Sequence, residues 1–109
     1  MRTALPVVPE LRLDLTAPDT REAVLVGALV GDRVRAGILA ILRDGPHCVC
    51  EMAAALGERE NNVSNHLARL RDAGLVRASR HGADARWVYY ERDEDTVRAA
   101  RTALLDVLG

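Results

Sequence analysis

The sequence predicts a mainly α-helical domain with one β-hairpin, in the order α-α-α-α-β-β-α. Apolar residues recur at helical spacing in four segments before residue 74 and in one segment after residue 94. Between them, LVRASR (75–80) and RWVYYE (86–91) are rich in β-forming residues and flank the glycine-containing turn HGADA (81–85). Two short helices joined by a tight turn and followed by a hairpin form a winged helix-turn-helix, which is the fold class we predict.

The predicted helices begin and end at local sequence signals. Asp19 is expected to cap the first helix, with Glu22 three residues later completing a capping box. A glycine follows each of the first four helices and ends it. The predicted helices span 20–30, 32–43, 48–56, 59–73 and 94–108, the hairpin spans 75–91, and the glycines are Gly31, Gly45, Gly57 and Gly74.

The length of 109 residues suits a single domain preceded by a short arm. Residues 1–18 contain Pro6, Pro9 and Pro18 among alternating apolar and polar residues, which indicates an extended N-terminal arm before a folded domain at 19–109. No apolar run approaches membrane-spanning length, and the signal-peptide layout is missing. We therefore expect a cytoplasmic protein with reduced thiols and no membrane partner.

Charge is distributed unevenly along a chain whose net charge is only −1. Between Arg59 and Arg92, seven arginines stand against four acidic residues, a local excess of +3. A basic surface on an acidic body suits a DNA-binding protein. A solvated surface without further function is the alternative that charge alone leaves open.

The segment ERENNVSNHLARLRDAGLV (58–76) contains the helix predicted to read DNA. Val63, Leu67 and Leu70 are expected to pack inward, so the opposite face presents short amide and hydroxyl side chains. Such groups can bond base edges and phosphates, and a helix N-terminus itself attracts phosphate. A polar helix beside an ordinary surface hairpin is the alternative. The candidate DNA contacts are Asn61, Asn62, Ser64, Asn65, Arg69 and Arg71 on the helix, and Arg80, His81 and Arg86 at the wing.

The only two cysteines, Cys48 and Cys50, lie at the start of the third predicted helix. Thiolates select soft ions, which excludes magnesium and calcium, and a helix N-terminus lowers the pKa of a thiol. Positions i and i+2 of an α-helix lie about 200° apart around its axis. The spacing therefore predicts sulfur atoms that point apart without metal and that close on one ion only if the first helical turn unwinds. Two small buried hydrophobic side chains are the alternative.

The stretch VCEMAAALGERENNVSNHLARLRDAGLVRASRHGADARWVYY (49–90) resembles the helix-turn-helix and wing of the ArsR/SmtB family of metal-responsive winged-helix repressors. Its most specific part is VSNHLARLRDAGLV (63–76), and CVCEMA (48–53) resembles the cysteine box of members that sense arsenic, antimony, cadmium or lead. The resemblance implies that residues 19–109 form a homodimer through the first and last helices. It also implies binding to double-stranded operator DNA without metal, and release when metal binds.

Several positions depart from the pattern of that family. Arg59 stands where relatives have Ser or Thr to cap the reading helix, and Ala53 stands where some arsenic sensors carry a third cysteine. The zinc site that some relatives build on the last helix would need ligands at positions 94, 96 and 107, where only Glu94 fits.

These observations predict a transcriptional repressor, not an enzyme, that arsenite or antimonite induces through the Cys48 and Cys50 thiolates. Two thiolates with a hydroxide or water would satisfy a trivalent metalloid, whereas His47, Glu51 or a group from a second subunit could complete a divalent site. Cadmium, lead or zinc sensing, and a redox or persulfide switch of the same pair, are the alternatives. His66 is expected to pack or to form a hydrogen bond inside the reading helix. The sequence lacks a C-x-x-C motif and any serine–histidine–acid grouping that would favour catalysis.

Overall fold

The computed structural model describes residues 18–79 and 87–109 and confirms a mainly helical winged fold with an antiparallel hairpin. Of the predicted arm at 1–18, residues 1–17 lie outside the described residues, and Pro18 opens the first helix. In chain order the elements are α1 (Pro18–Val30), α2 (Arg33–Leu42), β1 (His47–Cys48), α3 (Val49–Leu56), α4 (Glu60–Asp72), β2 (Val76–Ala78), β3 (Tyr89–Arg92) and α5 (Glu94–Leu108).

The start of α1 differs from the prediction. The helix begins at Pro18, so Asp19 lies inside the first helical turn and is not the N-cap that we expected. Proline is well tolerated at the first position of a helix, because its missing N–H would have no helical partner there.

A short strand, β1, was not predicted at all, because residue 48 was assigned to a helix. In the structure, His47 and Cys48 pair antiparallel with β3, so that His47 lies opposite Tyr90 and Cys48 lies opposite Tyr89. The sheet therefore has three strands in the order β1-β3-β2. A strand of two residues shows no alternation of its own, and only the pairing with β3, some forty residues later, defines it.

The hydrophobic core lies where α2, α3 and α4 meet β2. Ile38, Met52, Val63 and Leu70 are fully excluded from solvent, at 0% relative exposure, and Leu67 exposes 2%. Val63, Leu67 and Leu70 all belong to α4, which confirms the predicted inner face of this helix. Burying such a side chain contributes about 1.5–3 kcal/mol. The core therefore holds α4 by one face and leaves the opposite face in solvent.

Acidic side chains cap two of the helices. Asp32 Oδ1 accepts hydrogen bonds from the backbone N–H groups of Val34 (2.8 Å) and Arg35 (3.0 Å) at the start of α2. Asp93 Oδ1 accepts from the N–H of Thr96 (3.0 Å) at the start of α5. These backbone hydrogen bonds hold the pKa of both carboxyls below the usual value.

Helices α1 and α5 pack against each other beside the core. Over residues 20–30 of α1 only Ala23 is buried, and none of the 15 residues of α5 is buried. Leu25 of α1 exposes 65% of its surface and Leu108 of α5 exposes 78%. The pair therefore carries apolar surface that residues 18–79 and 87–109 do not cover. Within 18–79 and 87–109, none of the helices has the length and apolar character needed to cross a membrane.

Candidate functional site

The two cysteines meet at the junction of a strand and a helix. Cys48 is the last residue of β1 and the N-cap of α3, with extended backbone angles (φ −90°, ψ 168°), and Cys50 follows in the first turn of α3. The two Sγ atoms lie 2.7 Å apart. The prediction that they point apart is therefore wrong. Because Cys48 precedes the helical winding, the helical rotation between positions i and i+2 does not separate the side chains.

The same geometry removes the need for the predicted unwinding. Both cysteines are free thiols, and their separation of 2.7 Å exceeds the length of a disulfide bond, which is about 2.05 Å. The regular first turn of α3 already brings the pair together. A ligand that bridges two sulfur atoms would find them on one side of this turn.

The thiol of Cys48 also differs from the expectation that a helix N-terminus lowers its pKa. Cys48 exposes only 5% of its surface, and this burial raises the pKa of its thiol. The hydrogen bond with Cys50 raises it further, while the backbone N–H of Glu51 acts in the opposite direction. Desolvation dominates because the neutral thiol needs no solvation by water, whereas the thiolate does. Cys48 is therefore a protonated, buried sulfur beside the half-buried Cys50.

The two side chains considered as additional ligands are already engaged. Glu51 Oε1 accepts a hydrogen bond from the backbone N–H of Cys48 at 2.9 Å, and this bond lowers the pKa of the Glu51 carboxyl. The imidazole of His47 donates from Nδ1 to the carbonyl of Gly45 at 2.8 Å. In the described part of the chain, no three His, Cys, Asp or Glu side chains come together as a metal site. None of the described residues therefore supplies a third protein ligand to the cysteine pair.

The outer face of α4 carries most of the predicted DNA contacts. Asn61, Ser64 and Asn65 are exposed near the start of the helix, and Arg69 and Arg71 are exposed in its last two turns. Arg59 occupies the N-cap position with extended backbone but makes no capping hydrogen bond through its side chain. The first N–H groups of α4 therefore lack the Ser or Thr oxygen that usually satisfies one of them.

Asn62 differs from these neighbours. It is half-buried, and its amide nitrogen Nδ2 donates to Glu58 Oε1 at 2.6 Å. Glu58 Oε2 also pairs with the guanidinium of Arg33 at the start of α2. One amide proton of Asn62 is therefore committed to a contact between α2 and α4. The sequence did not indicate Arg33 or Glu58, since their contact joins residues that are far apart in the chain.

His66 forms a hydrogen bond inside the fold, as expected. Its Nδ1 lies 2.9 Å from Nη1 of Arg35, and since a guanidinium only donates, Nδ1 is the acceptor. Asp32 Oδ1 lies 3.8 Å from the same nitrogen. Arg35 is another residue that the sequence did not indicate.

The wing is described at its base. The candidate contacts Arg80, His81 and Arg86 lie outside the described residues. At this base, Arg77 of β2 forms ion pairs with Glu91 of β3 (2.9 Å) and with Asp93, the N-cap of α5 (2.8 Å). Both contacts raise the pKa of its guanidinium. Trp87, at the edge of the described segment, exposes 52% of its surface. It lies two residues before Tyr89, the pairing partner of Cys48.

Comparison with known proteins shows which family has this fold and this sequence pattern. Residues 32–78, which hold both cysteines and all of α4, match the profile described as bacterial regulatory protein, arsR family. A solution structure of the homodimeric winged helix-turn-helix DNA-binding domain Mb0332 from Mycobacterium bovis, described as a possible ArsR-family transcriptional regulator, aligns with a TM-score of 0.63. The alignment has 30% sequence identity and covers 89% of this chain and 86% of that chain. The chain belongs to the ArsR family.

Two further relatives show how far the likeness of this ArsR-family chain extends. The arsenic resistance transcriptional regulator ArsR1 of Pseudomonas putida is 42% identical over 67 residues, which are 61% of this chain and 50% of that protein. The HTH-type transcriptional regulator CmtR of Mycobacterium bovis is 41% identical over 71 residues, which are 63% of this chain and 60% of that protein. The chain spans about half the length of the first curated relatives that it matches.

Proposed function

We propose that this ArsR-family chain is a transcriptional repressor that binds double-stranded operator DNA as a homodimer. In the proposal, arsenite or antimonite binds Cys48 and Cys50 and releases the DNA. The observation that carries the sensing step is the 2.7 Å separation of the two free sulfur atoms at the start of α3. The likeness to ArsR1 of Pseudomonas putida, an arsenic resistance regulator by name, favours the same class of ligand.

The chemistry of a trivalent metalloid fits a pair of neighbouring thiols. Arsenous acid carries three hydroxyl groups, and condensation with two thiols forms two As–S bonds and releases two molecules of water. Each leaving hydroxyl takes the proton of one thiol, and the third hydroxyl remains on arsenic. No further protein ligand is required, which agrees with the two-sulfur cluster of the described residues.

The protonated state of Cys48 favours this ligand over a divalent cation. Its pKa is raised, chiefly by burial, so the thiol keeps its proton near neutral pH. A cadmium, lead or zinc ion binds the thiolate form, so it must displace the Cys48 proton into water, and its affinity falls accordingly. These ions would also need ligands beyond the cysteine pair, from His47, Glu51 or a group of a second subunit. They remain the alternative inducers of the same proposed repressor.

The proposed DNA surface is the outer face of α4, with Asn61, Ser64 and Asn65 toward bases or phosphates and Arg69 and Arg71 toward the backbone. The core holds the inner face of the same helix, so these side chains keep a fixed spacing. In Asn62, one amide proton is held by Glu58, so the second amide proton and the carbonyl oxygen are left for DNA. Arg80, His81 and Arg86 are the proposed contacts of the wing with DNA. Chromosomal DNA as partner implies a cytoplasmic location.

The proposed subunit interface uses α1 and α5. Leu25, Leu105 and Leu108 expose between 56% and 78% of their surface on these two helices. Exposed apolar surface of this kind is typical of contacts between subunits. The homodimeric domain of Mb0332, which has the same fold, gives the precedent for pairing.

The decisive experiment measures the release of a labelled DNA duplex by fluorescence anisotropy. The duplex is first selected by this protein from a random-sequence library. Arsenite and antimonite should release the duplex from the wild type, and the Cys48→Ser/Cys50→Ser double variant should retain it. Cadmium, lead and zinc are titrated in parallel. A coupling of roughly 5- to 150-fold in DNA affinity is the usual range for such a response. Equal release from the double variant, or no release from the wild type, would remove the sensing role.

Oxidation of the same pair is a second candidate signal, and the contact between the two free thiols favours it. A hydroperoxide would transfer one oxygen atom to the more accessible Cys50 sulfur, which gives a sulfenic acid, and would leave as an alcohol or water. Cys48 sulfur would then attack the sulfenic sulfur, form a disulfide and expel water. Release of the duplex by hydrogen peroxide in chelator-treated buffer, reversed by dithiothreitol, would assign the signal to oxidation. The persulfide alternative is tested with a polysulfide in the same assay.

A further inference from the structure

One guanidinium group joins three helices of this fold. Arg35 lies on α2, and its Nη1 contacts Nδ1 of His66 in the middle of α4 at 2.9 Å. Its Nη2 donates to the carbonyl of Ala28 at 3.3 Å, and its Nε donates to the carbonyl of Leu29. Both carbonyls belong to the last turn of α1. Arg35 thus connects the end of α1 with the helix that carries the proposed DNA surface.

The backbone of Arg35 is held in place at the start of α2 by a hydrogen bond and by the burial of its neighbour. Its backbone N–H donates to Asp32 Oδ1, the N-cap of α2, at 3.0 Å. Beside it, Val34 is buried in the core. The carbonyls at the end of α1 have no N–H partners within their own helix, so they are free to accept the guanidinium. Only arginine offers several donors in a rigid planar fork that can reach both acceptor groups at once.

The receiving residue on α4 lies between the core and the outer face. His66 is half-buried and directly follows the exposed Asn65, while the next residue, Leu67, is buried. A shift of His66 relative to α2 would turn the outer face of α4 with it. The inner face of α4 is held by non-directional apolar contacts, whereas the Arg35–His66 contact is a directional hydrogen bond.

We propose that Arg35 is a positioning residue for DNA binding. It ties the last turn of α1, the proposed subunit-interface helix, to His66 of α4 and so sets the angle at which α4 meets DNA. Arg35 itself does not contact DNA in this proposal. The inference rests on the proposed function, because it requires that α4 binds DNA, but it does not depend on the ligand of the cysteines.

The test compares variants that differ in one hydrogen-bonding group, with the full-length chain and the library-selected duplex. His66→Asn keeps a hydrogen-bond acceptor, because asparagine Oδ1 is bonded to Cγ, the atom that carries Nδ1 in histidine. His66→Leu removes the acceptor, and leucine has the higher helix propensity of the two replacements. We expect His66→Leu to weaken DNA affinity by about tenfold or more, and His66→Asn to restore most of that loss. If helix stability alone decided the result, the order of the two variants would be reversed.

The arginine is tested by Arg35→Lys and Arg35→Gln. The matched control is Arg43→Gln, at an exposed position after α2 that belongs to neither proposed surface. We expect both Arg35 variants to lose about tenfold in affinity, and the control to lose none. The slope of log affinity against log salt concentration should stay unchanged in Arg35→Gln. A phosphate contact would instead lower that slope by about one. Melting temperature and sedimentation velocity establish that each variant is folded and dimeric.

The outcomes separate this inference from the proposed function. If the wild type selects no duplex from the library, the DNA-binding proposal fails and the positioning role fails with it. If the wild type binds DNA and the Arg35 variants bind equally well, only the positioning role is overturned. A salt slope reduced by about one in Arg35→Gln, or His66→Leu binding better than His66→Asn, also overturns it.

Discussion

Cys48 lies opposite Tyr89 in the antiparallel pair of β1 and β3, while the same cysteine caps α3. A single residue thus belongs to both the wing sheet and the helix that precedes α4. Any ligand that pulls on the sulfur of Cys48 acts on β3 as well as on α3. Ligand binding at Cys48 is therefore expected to displace the wing strand β3 directly, without first moving α4.

The tryptophan at the base of the wing provides a native reporter for this route. Trp87 is the only tryptophan of the chain and lies two residues before Tyr89. We expect arsenite to change the emission of Trp87 in the DNA-free wild type, because displacement of β1 disturbs β3. The Cys48→Ser/Cys50→Ser variant is the control and should show no change. Release of DNA with constant emission and unaltered amide exchange over 87–92 would show that the wing does not respond.

The pH dependence of DNA release should distinguish the metalloid from a divalent cation. Burial raises the pKa of Cys48, so its thiol is protonated near neutral pH. Condensation with arsenous acid releases water and no net protons, and the concentration needed for release should vary little between about pH 6.5 and 7.5. Cadmium would displace thiol protons, so its apparent affinity should rise roughly tenfold per pH unit for each proton released. A steep rise for arsenite as well would contradict a protonated Cys48 thiol.

Two substitutions on the outer face of α4 should weaken DNA binding in different ways. Asn65→Ala removes a proposed base contact and should reduce discrimination at one position of the selected site, by about 1–3 kcal/mol. Arg71→Gln removes a proposed phosphate contact and should weaken binding to all sequences, with the salt slope lowered by about one. Anisotropy titrations on a panel of single-base variants at three salt concentrations measure both effects. Identical specificity profiles for Asn65→Ala and the wild type would place this residue outside the base contacts.

The N-cap of α2 should make a pH-dependent contribution to stability. Hydrogen bonds from the backbone, first that of Arg35, lower the pKa of Asp32 in the folded state. The contribution is therefore complete above the ordinary aspartate pKa of about 3.9 and is lost as pH falls through the lower folded-state value. Asp32→Ala should melt at a lower temperature than the wild type at neutral pH, and the gap should narrow in acid.

Asp32→Asn is the matched control for the charge at this cap. Asparagine also caps helices, but its amide does not titrate in this range. We therefore expect its melting temperature relative to Asp32→Ala to be independent of pH. A constant gap between the wild type and Asp32→Ala down to strongly acidic pH would contradict the lowered pKa of the carboxylate.

Local patterns predicted much of the fold. The spacing of Val63, Leu67 and Leu70 marked the inner face of α4 because the α-helical repeat places such residues on one side, whatever they pack against. The β-forming residues on either side of 81–85 predicted the hairpin because β-branched and aromatic side chains favour strands and the glycine between them favours a turn. Pro18 shifted the start of α1 because its fixed backbone angle is already compatible with a first helical turn.

The sequence by itself determined the helices, the wing and the face of α4 that meets solvent, because each depends on neighbouring residues within one or two turns. Only the tertiary structure decided how the cysteines lie. Pairing with β3 holds Cys48 in extended backbone, brings its sulfur to 2.7 Å from that of Cys50 and buries it. The contact of Arg35 with His66, 31 residues later, also depends on helix packing. Contacts between residues this far apart produce no periodic pattern in the sequence. The two sulfur atoms therefore meet where we expected them to point apart, and the pKa of the Cys48 thiol is raised where we expected it to be lowered.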